Sequence, residues 1–217
     1  MKLSKATLAT LKNFSTINQS IIIKPGNVLE TISNVKDVYA RSTIEETFDK
    51  QVCIYDLNEF LGVISLFEDP DFELGDDALI LKQGKITQKY YYADPTVITS
   101  PPDNGVTLPS EELHFNLDRN TLSMIIRACS INNATDMTFS NKGILVHDKS
   151  VPNSNVFSVD IPETKDTYEL SISVDKLKMV PDDYKIAICT KGLSKFEGNY
   201  ITYYVALQPE GTYAKGQ

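Results

Sequence analysis

Long apolar runs are missing from this 217-residue chain: no stretch approaches the roughly 18 uninterrupted apolar residues of a membrane-spanning helix. The opening segment MKLSKATLATLKNF also lacks the continuous apolar core of a secretory signal, so a cytoplasmic, non-membrane protein is expected. Cysteine is scarce. Cys53, Cys129 and Cys189 are an odd set with no CxxC spacing, each inside an apolar run, which fits small buried hydrophobes rather than a disulfide framework or a zinc site. Histidine is scarcer still, with His114 and His147 isolated from any motif that would make either a general base. GxSxG, HExxH, GxxxxGK[ST] and GxGxxG are all absent. The acidic stretch 68–77 offers Asp69, Asp71 and Glu73 as oxygen ligands, but its glycine, Gly75, falls one place late for a calcium loop, and Ile80 stands where the frame needs Glu. A solvated acidic loop, no metal, no cofactor and no catalysis are therefore expected.

Excess positive charge is lacking overall, since the net charge is −8. Its distribution is uneven. The first 29 residues hold Lys2, Lys5, Lys12 and Lys24 and no acid, so the remainder carries −12, and six acids crowd residues 68–77. One surface can be basic while another is acidic.

What is present is a repeat. LSKATLATLKNFSTIN at 3–18 aligns without gaps to LDRNTLSMIIRACSIN at 117–132: Leu3, Thr7, Leu8, Ile17 and Asn18 meet Leu117, Thr121, Leu122, Ile131 and Asn132, while Lys5 meets Arg119 and Leu11 meets Ile125. Ser4 and Asp118 are both good helix N-caps. The first helix is expected from the Ser4 cap to about Phe14, burying Leu8, Leu11 and Phe14; the second spans about 119–129 and buries Leu122, Ile125 and Cys129. At 100° per residue, Lys5 and Lys12 lie about 20° apart with Lys2 to the side, and Arg119, Ser123 and Arg127 fall within about 80°. Both helices thus carry a basic face free of acid.

Strand patterns follow each helix. IIIKPGNVLETI reads as a hairpin broken at Pro25-Gly26, and DMTFSNKGILVHD as a second around Asn141 to Gly143. Further strands are expected in FDKQVCIYD, in DALILKQGKITQKYYYAD with a turn at Gln83-Gly84, and in NVFSVDI, TYELSIS, YKIAICTKG and NYITYYVALQ. Asp56 caps a helix over Leu57 to Leu66, and SVDKLKMVP suggests a short helix from about Asp175 to Pro181. Residues 94–113 contain four of the ten prolines and read as a stiff connector, placing the boundary between two domains at 1–105 and 106–217.

MKLSK, LKNFSTIN, IYDLNEFLGVISLF, KMVPDDYKIAI and KFEGNYITYYVAL, in this order and spacing, closely resemble the sliding clamps of T-even-type bacteriophages, the DNA polymerase processivity factors related to proliferating cell nuclear antigen. The resemblance is dense over 1–29, 52–67 and 176–207 and thin over 68–116. It implies an α+β, ring-forming DNA clamp fold of two similar domains, each with two helices packed on antiparallel sheets. It further implies a homotrimer that encircles double-stranded DNA without reading sequence, tethers a replicative polymerase, is opened by a clamp loader and serves late-transcription factors, all in the cytoplasm of an infected bacterial host. On that basis Lys5, Lys12, Arg119, Arg127, Lys176 and Lys178 are the expected DNA-facing residues. By position in the family, Ile32, Val106, Leu108, Ala206 and Pro209 are expected to line a pocket for a partner peptide, and KYYYAD at 89–94 is an expected subunit edge. A non-enzymatic virion or scaffold protein is the alternative.

Overall fold

The computed structural model describes residues 1–162 and 164–216. The chain divides into two compact units, Met1–Val106 and Thr107–Gln217.

The first unit opens with α1 (Lys5–Phe14), followed by β1 (Ile21–Ile23), β2 (Gly26–Ile32), β3 (Val38–Phe48), β4 (Val52–Ile54), α2 (Leu57–Ile64), β5 (Asp71–Leu74), β6 (Ala78–Gln83) and β7 (Ile86–Tyr91). β1 pairs antiparallel with β4, β2 with β3, and β5, β6 and β7 form a meander. The helices bury Leu11, Phe14, Leu57 and Phe60, each at most 1% exposed, which fastens both to this unit's core.

The second unit contains β8 (Leu113–Leu117), α3 (Arg119–Asn132), β9 (Asp136–Ser140), β10 (Gly143–His147), β11 (Phe157–Val159), β12 (Thr167–Ser173), β13 (Tyr184–Cys189), β14 (Leu193–Glu197), β15 (Ile201–Ala206) and β16 (Thr212–Ala214). One sheet has the order β11-β10-β9-β12-β16; β8, β13, β14 and β15 lie side by side in another. Phe115 of β8 stacks on Phe139 of β9 with ring centroids 5.5 Å apart, a geometry that joins the inner faces of the two sheets.

The sequence repeat is a repeat of topology. After α1, the first of four strands pairs with the fourth and the second with the third; after α3, β9 pairs with β12 and β10 with β11 in the same way. A three-stranded meander closes each set. Even the strand before the helix recurs in outline: Met1 exchanges backbone hydrogen bonds with Phe72, where the aligned residue Phe115 pairs with Ile186.

Several local expectations are corrected. Ile21–Ile23 and Gly26–Ile32 are not a hairpin, since each finds its ladder elsewhere; Pro25 offers no N–H and Gly26 sits at φ 121°, so the chain kinks out of one ladder into another. The short helix expected from Asp175 is a single 3-10 turn, Val174–Lys176, with no side-chain cap. Pro181 restricts the residue before it, and the few positions left cannot offset the cost of helix nucleation. α2 stops at Ile64 rather than Leu66, and Leu8 is half-buried rather than buried. The acidic stretch is not simply a solvated loop: it includes β5, and its acids pair with Lys2, Lys50, Lys82 and Lys89. The hairpin expected here forms, but Gln83 ends β6 and pairs with Ile86, so its turn is Gly84-Lys85 rather than Gln83-Gly84, with Gly84 at φ 59°, a left-handed conformation suited to a two-residue hairpin loop.

Candidate nucleic-acid interface

The two aligned helices owe their position to their first turns. Ser4, extended at φ −67° and ψ 157°, caps α1 by accepting from the Thr7 amide at 3.2 Å. A second acceptor comes from far along the chain: the Glu46 carboxylate on β3 takes the Ser4 amide and, at 2.5 Å, the Thr7 hydroxyl. Burial pushes the Glu46 carboxyl up, but these hydrogen bonds to its charged form outweigh that and hold it below the ordinary value. In α3, Asp118 accepts from the Asn120 and Thr121 amides at 2.9 and 3.0 Å, and the Arg119 amide donates to Asp183 at 2.8 Å. Asn133, left-handed at φ 49°, ends the helix.

With the ends fixed, the basic faces follow. Lys5, Ala9 and Lys12 are exposed along one line of α1, and neither lysine enters an ion pair among the described residues. Lys2 differs, because Asp69 pairs with it and cancels much of its charge. On α3, Arg119 and Arg127 are exposed, and neither helix contains an acid. Lys176 and Lys178 lie on and just after the 3-10 turn and are half-buried, so they stand on no helix face. α2, with sequence LNEFLGVI, adds no cation. Between α1 and α2 runs an open groove of about 710 Å³ whose walls include Leu8, Leu61 and Phe67, with Lys5 and Lys12 on one rim.

Four of the six expected DNA-facing residues therefore lie on exposed helix faces. An array of this kind has no base-edge readers in fixed forks; it offers mobile, solvated cations at intervals, which suits phosphate contact without sequence selection. Among the described residues, no group of three or more His, Cys, Asp or Glu is placed to hold a metal. His147 is engaged with the Thr138 hydroxyl at 3.1 Å, and that hydroxyl with Ser171 at 2.9 Å, a hydrogen-bonded set within the sheet.

The expected peptide-pocket residues divide between the units. In the first, Ile32 is 6% exposed on β2, with Val106 half-buried. In the second, Leu108 and Ala206 are half-buried and Pro209 is exposed. The segment carrying the last two is held by a residue that pattern reading passes over, Asp136. This 6%-exposed carboxylate accepts from Thr135 Oγ1 at 2.6 Å, Gln208 Nε2 at 2.6 Å and the Lys149 amide at 3.1 Å. Burial raises its proton affinity, yet the three donors prevail and its pKa is lowered.

Comparison with known proteins adds to this geometry. Residues 2–98 match the family described as DNA polymerase processivity factor, and residues 114–209 match the family described as gp45 sliding clamp, C terminal. The sliding clamp of Enterobacteria phage T4 is 30% identical over 228 residues, covering 98% of this chain and 99% of that protein. Among solved structures, A. fulgidus PCNA, described with the C-terminal region of FEN-1 bound, superposes with a TM-score of 0.67 at 16% identity, covering 96% of this chain and 98% of that one. The DNA polymerase III subunit beta from Pseudomonas aeruginosa gives a TM-score of 0.65 at 11% identity, with 95% of this chain spanning 64% of that one. The last two likenesses show the fold.

Proposed function

The chain belongs to the sliding-clamp family, the DNA polymerase processivity factors, and from that premise we propose that three copies close head to tail into a ring around duplex DNA and tether a replicative polymerase. The observation that carries the reading is the pair of topologically matched, acid-free helices, each presenting exposed cations while the chain as a whole is acidic. Two such helices per chain give six around a threefold ring, an approach to sixfold symmetry about a duplex. The two units, Met1–Val106 and Thr107–Gln217, act as its similar clamp-type domains, one residue beyond the boundary expected between 105 and 106.

A clamp must hold DNA without stopping on it. Lys5, Lys12, Arg119 and Arg127 supply a screened attraction for phosphates, and the closed ring supplies the permanence. Each phosphate neutralised contributes about 0.9 to the log-log salt slope, so the attraction falls steeply with salt while the topological link survives. Lys176 and Lys178 add a lesser share from the turn. The chain itself is non-catalytic, and an ATP-driven clamp loader opens the ring. The polymerase docks a short peptide at Ile32, Val106, Leu108, Ala206 and Pro209, and late-transcription factors use the same mobile platform in the infected bacterial cytoplasm. Family membership displaces the alternative of a virion scaffold.

The test is loading onto nicked circular DNA with the loader and ATP, followed by gel filtration in high salt. Co-elution with the circle, lost when the DNA is cut to a line, supports encirclement. Equal elution from circle and line overturns it.

A further inference from the structure

Both copies of the sequence repeat end on Ile-Asn, a pair that helix periodicity does not require. In the first unit Asn18 lies just past α1, where its backbone N–H donates to the Phe14 carbonyl at 2.9 Å, and it is 3% exposed. Its side chain is fully engaged. Nδ2 donates to the Ile32 carbonyl at 2.8 Å and to the Thr99 carbonyl at 3.2 Å, while Oδ1 accepts from the Ser20 backbone N–H at 3.0 Å and the Ser20 hydroxyl at 3.2 Å. One buried side chain thus joins the end of α1, the end of β2 and the proline-rich connector. The aligned Asn132 is half-buried and closes α3 instead.

The connector is fastened a second time at Gly105. Its backbone N–H donates to the Pro102 carbonyl at 2.9 Å, closing a turn whose Asp103 takes the Lys24 ammonium at 2.8 Å. Gly105, at φ 66°, lies so close to β3 that a Cβ there would stand 3.3 Å from the Tyr39 hydroxyl, which itself donates to Glu30. Tyr39 is directly opposite Ile32 in the β2–β3 ladder, so both side chains stand on one face of that pair of strands, where they are 3% and 6% exposed. Val106 follows Gly105 in the chain. The connector therefore brings Val106 to the face that carries Ile32.

We infer that Asn18 and Gly105 are positioning residues for partner docking: they hold residues 98–106 on the β2–β3 face and so fix where Val106 stands relative to Ile32. Both act through the connector and leave contact with the partner to other side chains. Without the Asn18 side chain, the Ile32 and Thr99 carbonyls lose a shared donor and the segment is released at Thr99. Any side chain at Gly105 presses against the Tyr39 hydroxyl and lifts the segment from the strand. This rests on the docking reading above and names what shapes the first unit's half of that site.

Two measurements on Asn18→Ala, Gly105→Ala and Asn132→Ala proteins test it: hydrogen exchange followed by mass spectrometry, and affinity for the replicative polymerase of the same genome. The first two proteins should exchange about tenfold faster over residues 98–106 and bind polymerase about tenfold more weakly at unchanged native mass, whereas Asn132→Ala should match wild type in both. Exchange over 98–106 equal to wild type, a lowered native mass that accounts for the weaker binding, or an Asn132→Ala protein that loses as much affinity overturns the assignment. Should Asn18→Ala fail to fold, Gly105→Ala decides by itself. Pro209→Asp separates this from the docking reading. Retained affinity in that protein overturns both; affinity lost there but normal in Gly105→Ala, with its connector loosened, overturns the positioning role and leaves the docking site standing.

Discussion

The Thr7 hydroxyl donates to the Glu46 carboxylate across 2.5 Å, which ties the first turn of α1 to a strand 39 positions further along the chain. The same carboxylate takes the Ser4 amide, so one side chain satisfies two donors at the helix start and sets the direction in which Lys5 and Lys12 point.

Replacing Glu46 with Ala should therefore cost about 1–2 kcal/mol, through two partly buried donors left without their acceptor. Urea unfolding of the dilute chain measures it. An unchanged midpoint would mean that Ser4 caps the helix sufficiently without help.

The same group gives a pH dependence. Glu46 and Asp136 both have folded-state pKa values below their ordinary ones, so their stabilisation is fully present above the unfolded carboxylate range near pH 4 and is lost as pH falls through the folded values. Wild type should lose stability on acidification through that range, and a Glu46→Gln, Asp136→Asn protein should lose less. Parallel curves for the two proteins would contradict the assignment.

Charge reversal at Lys5 and Lys12 together should leave folding intact, since both are exposed and outside any ion pair among the described residues, while shortening the products made by the loaded polymerase. Arg119→Glu with Arg127→Glu should act alike, and Lys176→Glu with Lys178→Glu less. The salt slope of DNA contact should drop by about 0.9 for each phosphate no longer neutralised. Unaltered product length in the Lys5, Lys12 variant would remove α1 from the DNA-facing surface.

Peptide docking separates from stability by position. Pro209→Asp, at an exposed site, should weaken binding of a polymerase-derived peptide without changing the unfolding midpoint. Ile32→Ala should instead cost about 2–5 kcal/mol, the usual range for opening a buried aliphatic site. Removing everything after Gln208 is a blunter change, because it deletes β16 and its pairing with β12. Titration calorimetry beside thermal melts distinguishes the two effects, and normal peptide affinity in Pro209→Asp would move the docking site elsewhere.

The helices were legible because their signals are local. Ser4, Asp56 and Asp118 stand at the caps, and the apolar stripe has the helical period. β3 was not read as a strand at all: its inward face includes the buried polar Ser42, and Glu46 near its end belongs to neither a clean apolar face nor a solvent face. Glu46 and Asp136 escaped notice for the same reason, since a carboxylate becomes a cap or a buried anchor only when distant segments arrive around it. The lost short helix shows the converse. A pattern of Val174, Leu177 and Val180 satisfies helical spacing, yet without a cap and with Pro181 following it yields one tight turn. Charge was read correctly as uneven, but pattern could not tell that Asp69 takes Lys2 out of the basic face.

Sedimentation equilibrium over a wide range of protein concentration tests the central claim most directly. The account predicts a species near three times 24.2 kDa that dissociates on dilution and does not grow beyond that mass. A strict monomer throughout, or open-ended growth, would contradict it, because neither closes around a duplex.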